Sequence, residues 1–217
     1  MSKRTVLTMA LLAALTLVGC VPEDWTTRLP YAGPVEIGIP AGTRLPGTDV
    51  RYLGRNEGGA RLVFGDREMT REIGDPVDWK GEMVEGVEVD ETLRVILITD
   101  DTLQTAGTVR IIVTNPQPQA EEVNTSAGVH FTLPVGYHVK VGESIPGTEI
   151  RYLGKTEDGA QLDRPEGYDY RKLGDSIVWE GKLRPGLWIE LDLRTALITE
   201  DQIDVLGTAG IWIEPSE

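Results

Sequence analysis

Cysteine and basic residues are scarce in this chain of 217 residues. Its single cysteine, Cys20, cannot form an internal disulfide, so the fold must be stable through packing and hydrogen bonding alone. Lys and Arg number 21 against 35 Asp and Glu, which gives a net charge of −14. Because nucleic-acid binding requires clustered Lys and Arg that displace counterions, the composition excludes nucleic acid as a partner.

Long apolar runs are also missing, apart from one at the N-terminus. There the basic opening MSKR precedes thirteen mostly apolar residues, Val6 to Val18. A membrane-spanning helix needs about 20 such residues, whereas the core of a signal peptide needs roughly 7 to 15. The run predicts a signal peptide over residues 1–19.

The sequence LVGC at residues 17–20 resembles the lipobox of bacterial lipoproteins. The resemblance implies cleavage between Gly19 and Cys20, followed by acylation of Cys20 with diacylglycerol and palmitate. The body would then be exported and anchored to the bacterial cell membrane, outside the cytoplasm. Val21 in place of aspartate implies the outer membrane if the host has one. An ordinary secretory signal with an unmodified cysteine is the alternative interpretation.

The rest of the chain contains one sequence twice. LPGTDVRYLG at residues 45–54 recurs as IPGTEIRYLG at residues 145–154, and the alignment continues without a gap to residues 114 and 214. So long a match predicts that both copies have the same fold, and about 80 residues can enclose a small core.

The boundaries of the two copies follow from composition. Residues 35–114 are assigned to repeat 1 and residues 135–217 to repeat 2. Segments rich in Pro, Gln, Glu, Asn, Ser and Thr precede each repeat. They predict a tether over residues 20–34, beginning with the lipidated cysteine, and a linker over residues 115–134.

Apolar residues alternate with polar ones inside each repeat. The odd positions from Val87 to Leu97, including Glu91, predict the buried face of a long strand, and apolar Ile96 and Ile98 predict that its far end is covered on both faces. The dipeptides at residues 58–59 and 158–159, Gly-Gly and Asp-Gly, predict hairpin turns. Each repeat is expected to form six or seven antiparallel strands in an all-β sandwich, with a β-barrel as the alternative.

Thr99 and Thr199 precede acidic residues, and Gln202 follows Thr199 by three positions. This spacing resembles a capping box and predicts a single helical turn at each place. The acidic pairs at residues 100–101 and 200–201, with Asp204, also raise a calcium hypothesis. Neither run matches the EF-hand pattern, so a solvated loop explains them equally well.

Groups suited to catalysis are few. His130 and His138 have no counterparts in repeat 1 and lack companion ligands at metal-site spacing. There is no GxSxG sequence, and the cysteine is assigned to lipid. The sequence therefore predicts a protein that is not an enzyme and has no metal or cofactor.

Aromatic residues distinguish the two repeats. Trp79 and Trp179 recur and are expected in the core, whereas Tyr137 and four further aromatics occur only in repeat 2. Exposed rings can stack on sugars or anchor a protein partner. The predicted ligand-binding residues are Tyr168, Tyr170, Trp188 and Trp212. A hairpin that pairs residue 198 with residue 208 would place the two tryptophans about 20 Å apart.

These features predict a lipid-anchored cell-envelope protein with two tandem β domains that act as a non-catalytic binding or structural module. Its partners would be the membrane, through the lipid on Cys20, and an envelope polysaccharide or protein. A carbohydrate-binding surface lipoprotein that uses the repeat 2 aromatics is the alternative. An envelope hydrolase has no specific support from the sequence.

Overall fold

The computed structural model describes residues 25–215, so the predicted signal peptide, Gly19 and Cys20 lie outside the described residues. Residues 25–215 form β-strands connected by turns and contain no helix. No helix of this part of the chain is long and apolar enough to cross a membrane. The all-β prediction is confirmed.

Repeat 1 contains seven strands in two antiparallel sheets. The strands are β1 (Arg28–Pro40), β2 (Val50–Asn56), β3 (Gly59–Phe64), β4 (Arg67–Arg71), β5 (Trp79–Val84), β6 (Val87–Ile98) and β7 (Thr102–Thr114). One sheet has the order β1-β7-β6-β5 and the other the order β2-β3-β4. The predicted hairpin between β2 and β3 is confirmed, with Asn56 opposite Gly59.

Repeat 2 has the same strand order. Its strands are β9 (Val129–Lys140), β10 (Arg151–Thr156), β11 (Gly159–Asp163), β12 (Tyr170–Arg171), β13 (Ser176–Arg184), β14 (Leu187–Ile198) and β15 (Gln202–Ile213). With a further short strand, β8 (Gln119–Ala120), the sheets are β10-β11-β12 and β8-β13-β14-β15-β9. The extra edge strand β8 comes from the predicted linker. The hairpin predicted between β10 and β11 is confirmed, with Thr156 opposite Gly159.

In each repeat the small sheet packs against the large one as a sandwich. Apolar and polar residues alternate along the strands, and every second side chain of a strand points to the same side of the sheet. The apolar side chains therefore form the inner faces of the sandwich. The tyrosine of the recurrent RYLG sequence also links the sheets. The Tyr52 hydroxyl donates to the carbonyl oxygen of Thr99 at 2.7 Å, and Tyr152 donates to that of Thr199 at 2.8 Å.

The helical turns predicted at Thr99 and Thr199 are wrong, because both residues lie in tight hairpin loops. The Thr99 hydroxyl accepts a hydrogen bond from the backbone N–H of Thr102 at 2.9 Å, and the Thr199 hydroxyl accepts one from Gln202 at 3.0 Å. A threonine hydroxyl that accepts from an N–H three residues later stabilises a hairpin loop as readily as a helix start. The local sequence therefore does not distinguish the two.

The prediction that both faces are covered at the far end of β6 is also wrong. Alternate residues are buried from Val87 to Val95, but Ile96 is 44% exposed and Leu97 50% exposed. The register between β6 and β7 shifts between Val95 and Leu97. A bulge inserts one residue into a strand, so the side chains beyond it no longer follow the earlier alternation.

The two repeats share one hydrophobic cluster, while the interior between the two sheets of repeat 1 forms a second cluster of its own. Leu29 and Tyr31 of β1 belong to the same buried cluster as Val129, Phe131 and Leu133 of β9. The strand β1 begins at Arg28 and β9 at Val129, so both strands start inside the segments that composition assigns to the tether and the linker. Those segments are consequently shorter than predicted.

The recurrent Pro-Gly turn of each repeat contacts the other repeat. Gly47 and Gly147 have positive φ angles of 75° and 80°. A Cβ at Gly47 would lie 2.9 Å from a methyl carbon of Val129, and a Cβ at Gly147 would lie 3.1 Å from a methyl carbon of Leu29. Since Leu29 and Val129 occupy equivalent positions, the contacts are reciprocal. This packing explains why the sequence PGT is present twice.

Candidate functional site

Trp188 and Trp212 are direct partners in the register of β14 and β15. The predicted separation of about 20 Å is wrong, because the hairpin loop is shorter than assumed and Ile198 pairs with Ile203 rather than with residue 208. Trp212 is half-buried and stacks on His130, with ring centroids 4.3 Å apart and an interplanar angle of 20°. These rings lie on the outer face of the five-stranded sheet.

Trp188 is covered by residues of its own chain and is only 6% exposed. Its indole N–H donates to Glu121 Oε1 at 3.3 Å, and the Lys182 ammonium lies 5.2 Å from the ring centroid. Glu121 follows the short strand β8, which pairs with β13 at the sheet edge. A sugar could stack on Trp188 only after these side chains moved away.

Tyr170 belongs to the other sheet of repeat 2, and Tyr168 lies in the loop between β11 and β12 that precedes it. Tyr168 is 86% exposed and Tyr170 40% exposed, and Tyr170 opens the short strand β12. The Arg171 guanidinium fixes the preceding loop by donating to the carbonyl oxygens of Tyr168 and, at 2.7 Å, of Ser176. The structure thus brings the two predicted tryptophans together but places Tyr170 on a different sheet and Tyr168 in the loop beside it.

The candidate metal ligands within residues 25–215 form at most a pair. His138 Nδ1 lies 2.8 Å from Asp204 Oδ1, and Glu200 lies 3.5 Å from the Lys155 ammonium. Within residues 25–215 no group of three or more His, Cys, Asp or Glu side chains could hold a metal ion. Hairpin hydrogen bonds close both acidic loops, and Glu200 also forms an ion pair with Lys155.

A cavity of about 280 Å³ lies where β1 of repeat 1 meets β9 of repeat 2. Its walls are mostly apolar and come from both repeats. The apolar lining residues include Val35, Ile37, Pro46, Val129 and Phe131. The polar lining residues are Glu36, Glu91, His130 and Thr132. This cavity is a concave, two-sided surface of the kind that small molecules occupy.

Glu91 is the chemically distinctive residue of the cavity wall. It is fully buried, and neither carboxyl oxygen has a hydrogen-bond partner among the described residues. On either side in the sheet its register partners are Trp79 and Val109, neither of which can neutralise a charge. Burial raises the pKa of Glu91 from its ordinary value of 4.5 to about 7. Near neutral pH this carboxyl group is present in both protonation states.

Repeat 2 fills the equivalent positions differently. Leu191 occupies the place of Glu91, and Tyr137 occupies the place of Ile37, and both are buried. The Tyr137 ring also makes an edge contact with Trp25, with centroids 6.3 Å apart. The alternation of β6 predicts that Glu91 lies on a buried face. The sequence does not show that this part of the molecule forms a cavity together with residues of repeat 2.

The chain matches no model of a protein family, no curated protein and no solved structure. The cavity between the repeats is accordingly chosen as the candidate site on its geometry and chemistry. It combines a concave apolar wall with a buried carboxyl group that lacks a partner within residues 25–215. Such a group costs free energy unless a donor meets it, and perturbed carboxyl groups of this kind concentrate at functional sites.

Proposed function

We propose that the protein is a lipid-anchored, non-catalytic binding module of the bacterial cell envelope, and that it binds a small molecule in the cavity between its repeats. The observation that carries this proposal is Glu91, a buried carboxyl group without a partner among the described residues, in the wall of that cavity. Repeat 2 has Leu191 at the same place, so the fold itself does not require a carboxyl group there.

The anchor is inferred from the lipobox resemblance at residues 17–20. Trp25 packs against the shared core, and it follows Cys20 by only five residues. Five residues span at most about 18 Å when fully extended. An acylated Cys20 would therefore hold the folded body close to the membrane surface, rather than at the end of a long tether.

A binding role fits Glu91 better than a catalytic one. General acid–base catalysis and nucleophilic catalysis both depend on a second group that exchanges a proton or is oriented by hydrogen bonds. The neighbours of Glu91 across the sheet are the rings and methyl groups of Trp79 and Val109. His130 and Thr132 also line the cavity, but neither carboxyl oxygen of Glu91 has a hydrogen-bond partner among the described residues, and the His130 ring stacks on Trp212.

A second candidate function is recognition of an envelope polysaccharide or protein by Tyr168 and Tyr170. Their exposure supports it, since a ring must be accessible to stack on a sugar. Trp188 would contribute only after Glu121 and Lys182 moved aside, so the surface is smaller than the sequence suggests.

Two measurements test the proposed function. Metabolic labelling with palmitate should mark the wild-type protein and leave a Cys20→Ala variant unlabelled, and an unlabelled wild type would contradict the anchor. The intact protein is then purified from native membranes, and the small molecules released by denaturation are identified by mass spectrometry.

A matched variant, Ile37→Tyr, places in repeat 1 the residue that repeat 2 has at this position. We expect a small molecule that is bound in stoichiometric amounts to the wild type and lost from Ile37→Tyr. A Tyr168→Ala variant serves as the control, and it should retain the molecule. The same small-molecule content in wild type and Ile37→Tyr would contradict binding in the cavity.

A further inference from the structure

We propose that the cavity binds an organic ammonium group carried on an apolar chain, with the ammonium at Glu91 and the chain along the apolar wall. This inference rests on the proposed function, because it assigns a ligand class to the same cavity. The charged lining residues indicate the sign of the ligand's charge, and the apolar lining residues indicate that the rest of the ligand is apolar.

The charge of the lining favours a cation. Two carboxyl groups, those of Glu36 and Glu91, line the cavity, and none of its lining residues is Lys or Arg. The first nineteen residues contribute only Lys3 and Arg4, so the remaining chain carries a net charge of −16. A field of this sign concentrates cations in a cleft and repels anions.

The hydrogen-bonding capacity of Glu91 favours an ammonium among cations. Both carboxyl oxygens are buried and lack donors within the described part of the chain, so an ammonium reaches them only after the Glu91 side chain or its neighbours in the cavity wall shift. An ammonium group has N–H donors for both oxygens and carries the compensating charge. A divalent metal ion is a poorer fit, because it needs several oxygen ligands and no group of three candidate ligands exists among residues 25–215.

The remaining wall favours an apolar chain on the ligand. Val35 and Ile37 of β1 line the cavity together with Val129 and Phe131 of β9, and they pack against the buried cluster to which Val129 and Phe131 belong. Its volume of about 280 Å³ lies just below the usual range of small-molecule pockets, which starts at roughly 300 Å³, so the ligand must be small. A short alkyl chain can fill this space and bury its surface against both repeats.

Ammonium binding should also be coupled to the release of a proton from Glu91. An opposite charge within a few ångströms favours the ionised form of a carboxyl group, so a bound ammonium lowers the pKa of Glu91. Below about pH 7 the ligand must then displace the proton that burial keeps on Glu91. Binding should release a proton in this range, and affinity should increase as the pH rises to about 8. Glu36 and His130 also line the cavity, so the pH dependence assigned to Glu91 is the part that Glu91→Gln removes.

The test is isothermal titration calorimetry on the purified full-length protein with three probes of equal chain length: n-hexylammonium, 1-hexanol and hexanoate. We expect saturable binding of n-hexylammonium at pH 8 and at least about tenfold weaker binding of the other two. Glu91→Gln should weaken n-hexylammonium binding by a similar factor while preserving the shape of the cavity. Ile37→Tyr should block the cavity and abolish binding.

Glu190→Gln is the matched control, because Glu190 is an exposed carboxylate on the strand of repeat 2 that corresponds to β6. It should bind n-hexylammonium as the wild type does. If Glu91→Gln misfolds, as judged by its thermal unfolding transition, Glu91→Leu carries the residue of repeat 2 and replaces it in the same titration.

Three outcomes would overturn the ammonium proposal. They are the absence of n-hexylammonium binding, equal affinity for n-hexylammonium and 1-hexanol, and unchanged affinity after Glu91→Gln. Binding of 1-hexanol that Ile37→Tyr blocks would still leave the cavity as a binding site and refute only the ligand class. The palmitate and mass-spectrometry measurements test the proposed function separately.

Discussion

The two sides of the junction between the repeats have the same backbone but different contents. On the repeat 1 side, Ile37 and Glu91 border an open cavity. On the repeat 2 side, Tyr137 and Leu191 occupy the equivalent positions and belong to the buried core. Duplication kept the strand order, while size and polarity diverged at the positions of Ile37 and Glu91, both of which line the cavity. In a duplicated fold, such divergent pairs indicate where one copy has acquired a separate role.

The largest effect is expected when the carboxyl group is placed in repeat 2. Leu191→Glu removes a fully buried apolar side chain and introduces a group with no partner in a packed core. We expect the free energy of unfolding to fall by about 4 kcal/mol at pH 8, measured by urea denaturation. Leu191→Met, the control, should lose less than about 1.5 kcal/mol. A small loss for Leu191→Glu would mean that the two sides tolerate charge equally.

The reverse change, Glu91→Leu, should stabilise the protein in a pH-dependent way. The pKa of Glu91 is about 7 in the folded state against an ordinary 4.5, so the folded state binds the proton more tightly. The free energy of unfolding of the wild type therefore falls as the pH rises from about 4.5, and this loss is complete somewhat above pH 7. The Glu91→Leu variant has no carboxyl group at this position and does not lose this stability. At 1.36 kcal/mol for each pH unit the loss amounts to roughly 3 kcal/mol.

Urea denaturation of wild type and Glu91→Leu at several pH values measures this difference. The variant should gain most at pH 8, and part of its advantage should disappear towards pH 5. Glu91→Gln, which also removes the titrating group, should show the same change in slope. Parallel stability curves for wild type and both variants would contradict the raised pKa.

A third prediction concerns the Tyr137 ring, which occupies in repeat 2 the position that Ile37 has in repeat 1. Tyr137→Ile installs the residue of repeat 1 and removes the edge contact with Trp25. We expect a loss of about 2 kcal/mol in unfolding free energy, since a large buried side chain is replaced by a smaller one. Tyr137→Phe retains the ring and should lose clearly less. If both variants have the same stability as the wild type, the ring does not contribute to the packing of this side.

The smallest effect is expected at Arg184, whose counterpart is Val84. The Arg184 guanidinium reaches repeat 1 and donates to the carbonyl oxygens of Glu85, at 3.0 Å, and Thr114. Arg184→Val should lower the unfolding free energy by about 1 kcal/mol, because exposed hydrogen bonds compete with water. Arg184→Lys keeps the positive charge but lacks the planar guanidinium that donates to two carbonyl oxygens. It should therefore be more stable than Arg184→Val but less stable than the wild type. A loss above about 3 kcal/mol would show that this contact dominates the junction.

Local chemistry made much of each repeat predictable. The gapless match of the two copies predicts one fold twice, and Gly59 and Gly159 mark hairpins because glycine readily adopts positive φ. Alternation identifies the buried face of β6 up to Val95. These features depend on residues that are neighbours in sequence or in one hairpin, so a single sequence contains the necessary information.

Features that depend on register or on the other repeat were not predictable. The partnership of Trp188 and Trp212 follows from the length of one hairpin loop, and the exposure of Leu97 follows from one bulge. The packing of β1 against β9 brings together residues about one hundred positions apart. For this reason Glu91 was recognisable as a buried carboxyl group, but its place in a cavity between the repeats was not.

The reciprocal contact of the Pro-Gly turns has the geometry of an isologous dimer, in which each subunit presents the same patch to its twin. Two identical, separate subunits would carry every substitution twice, so a glutamate could not appear on one side alone. Joining the halves into one polypeptide removes this restriction. One half can then become a specialised pocket while its twin keeps the tight packing that stabilises the pair.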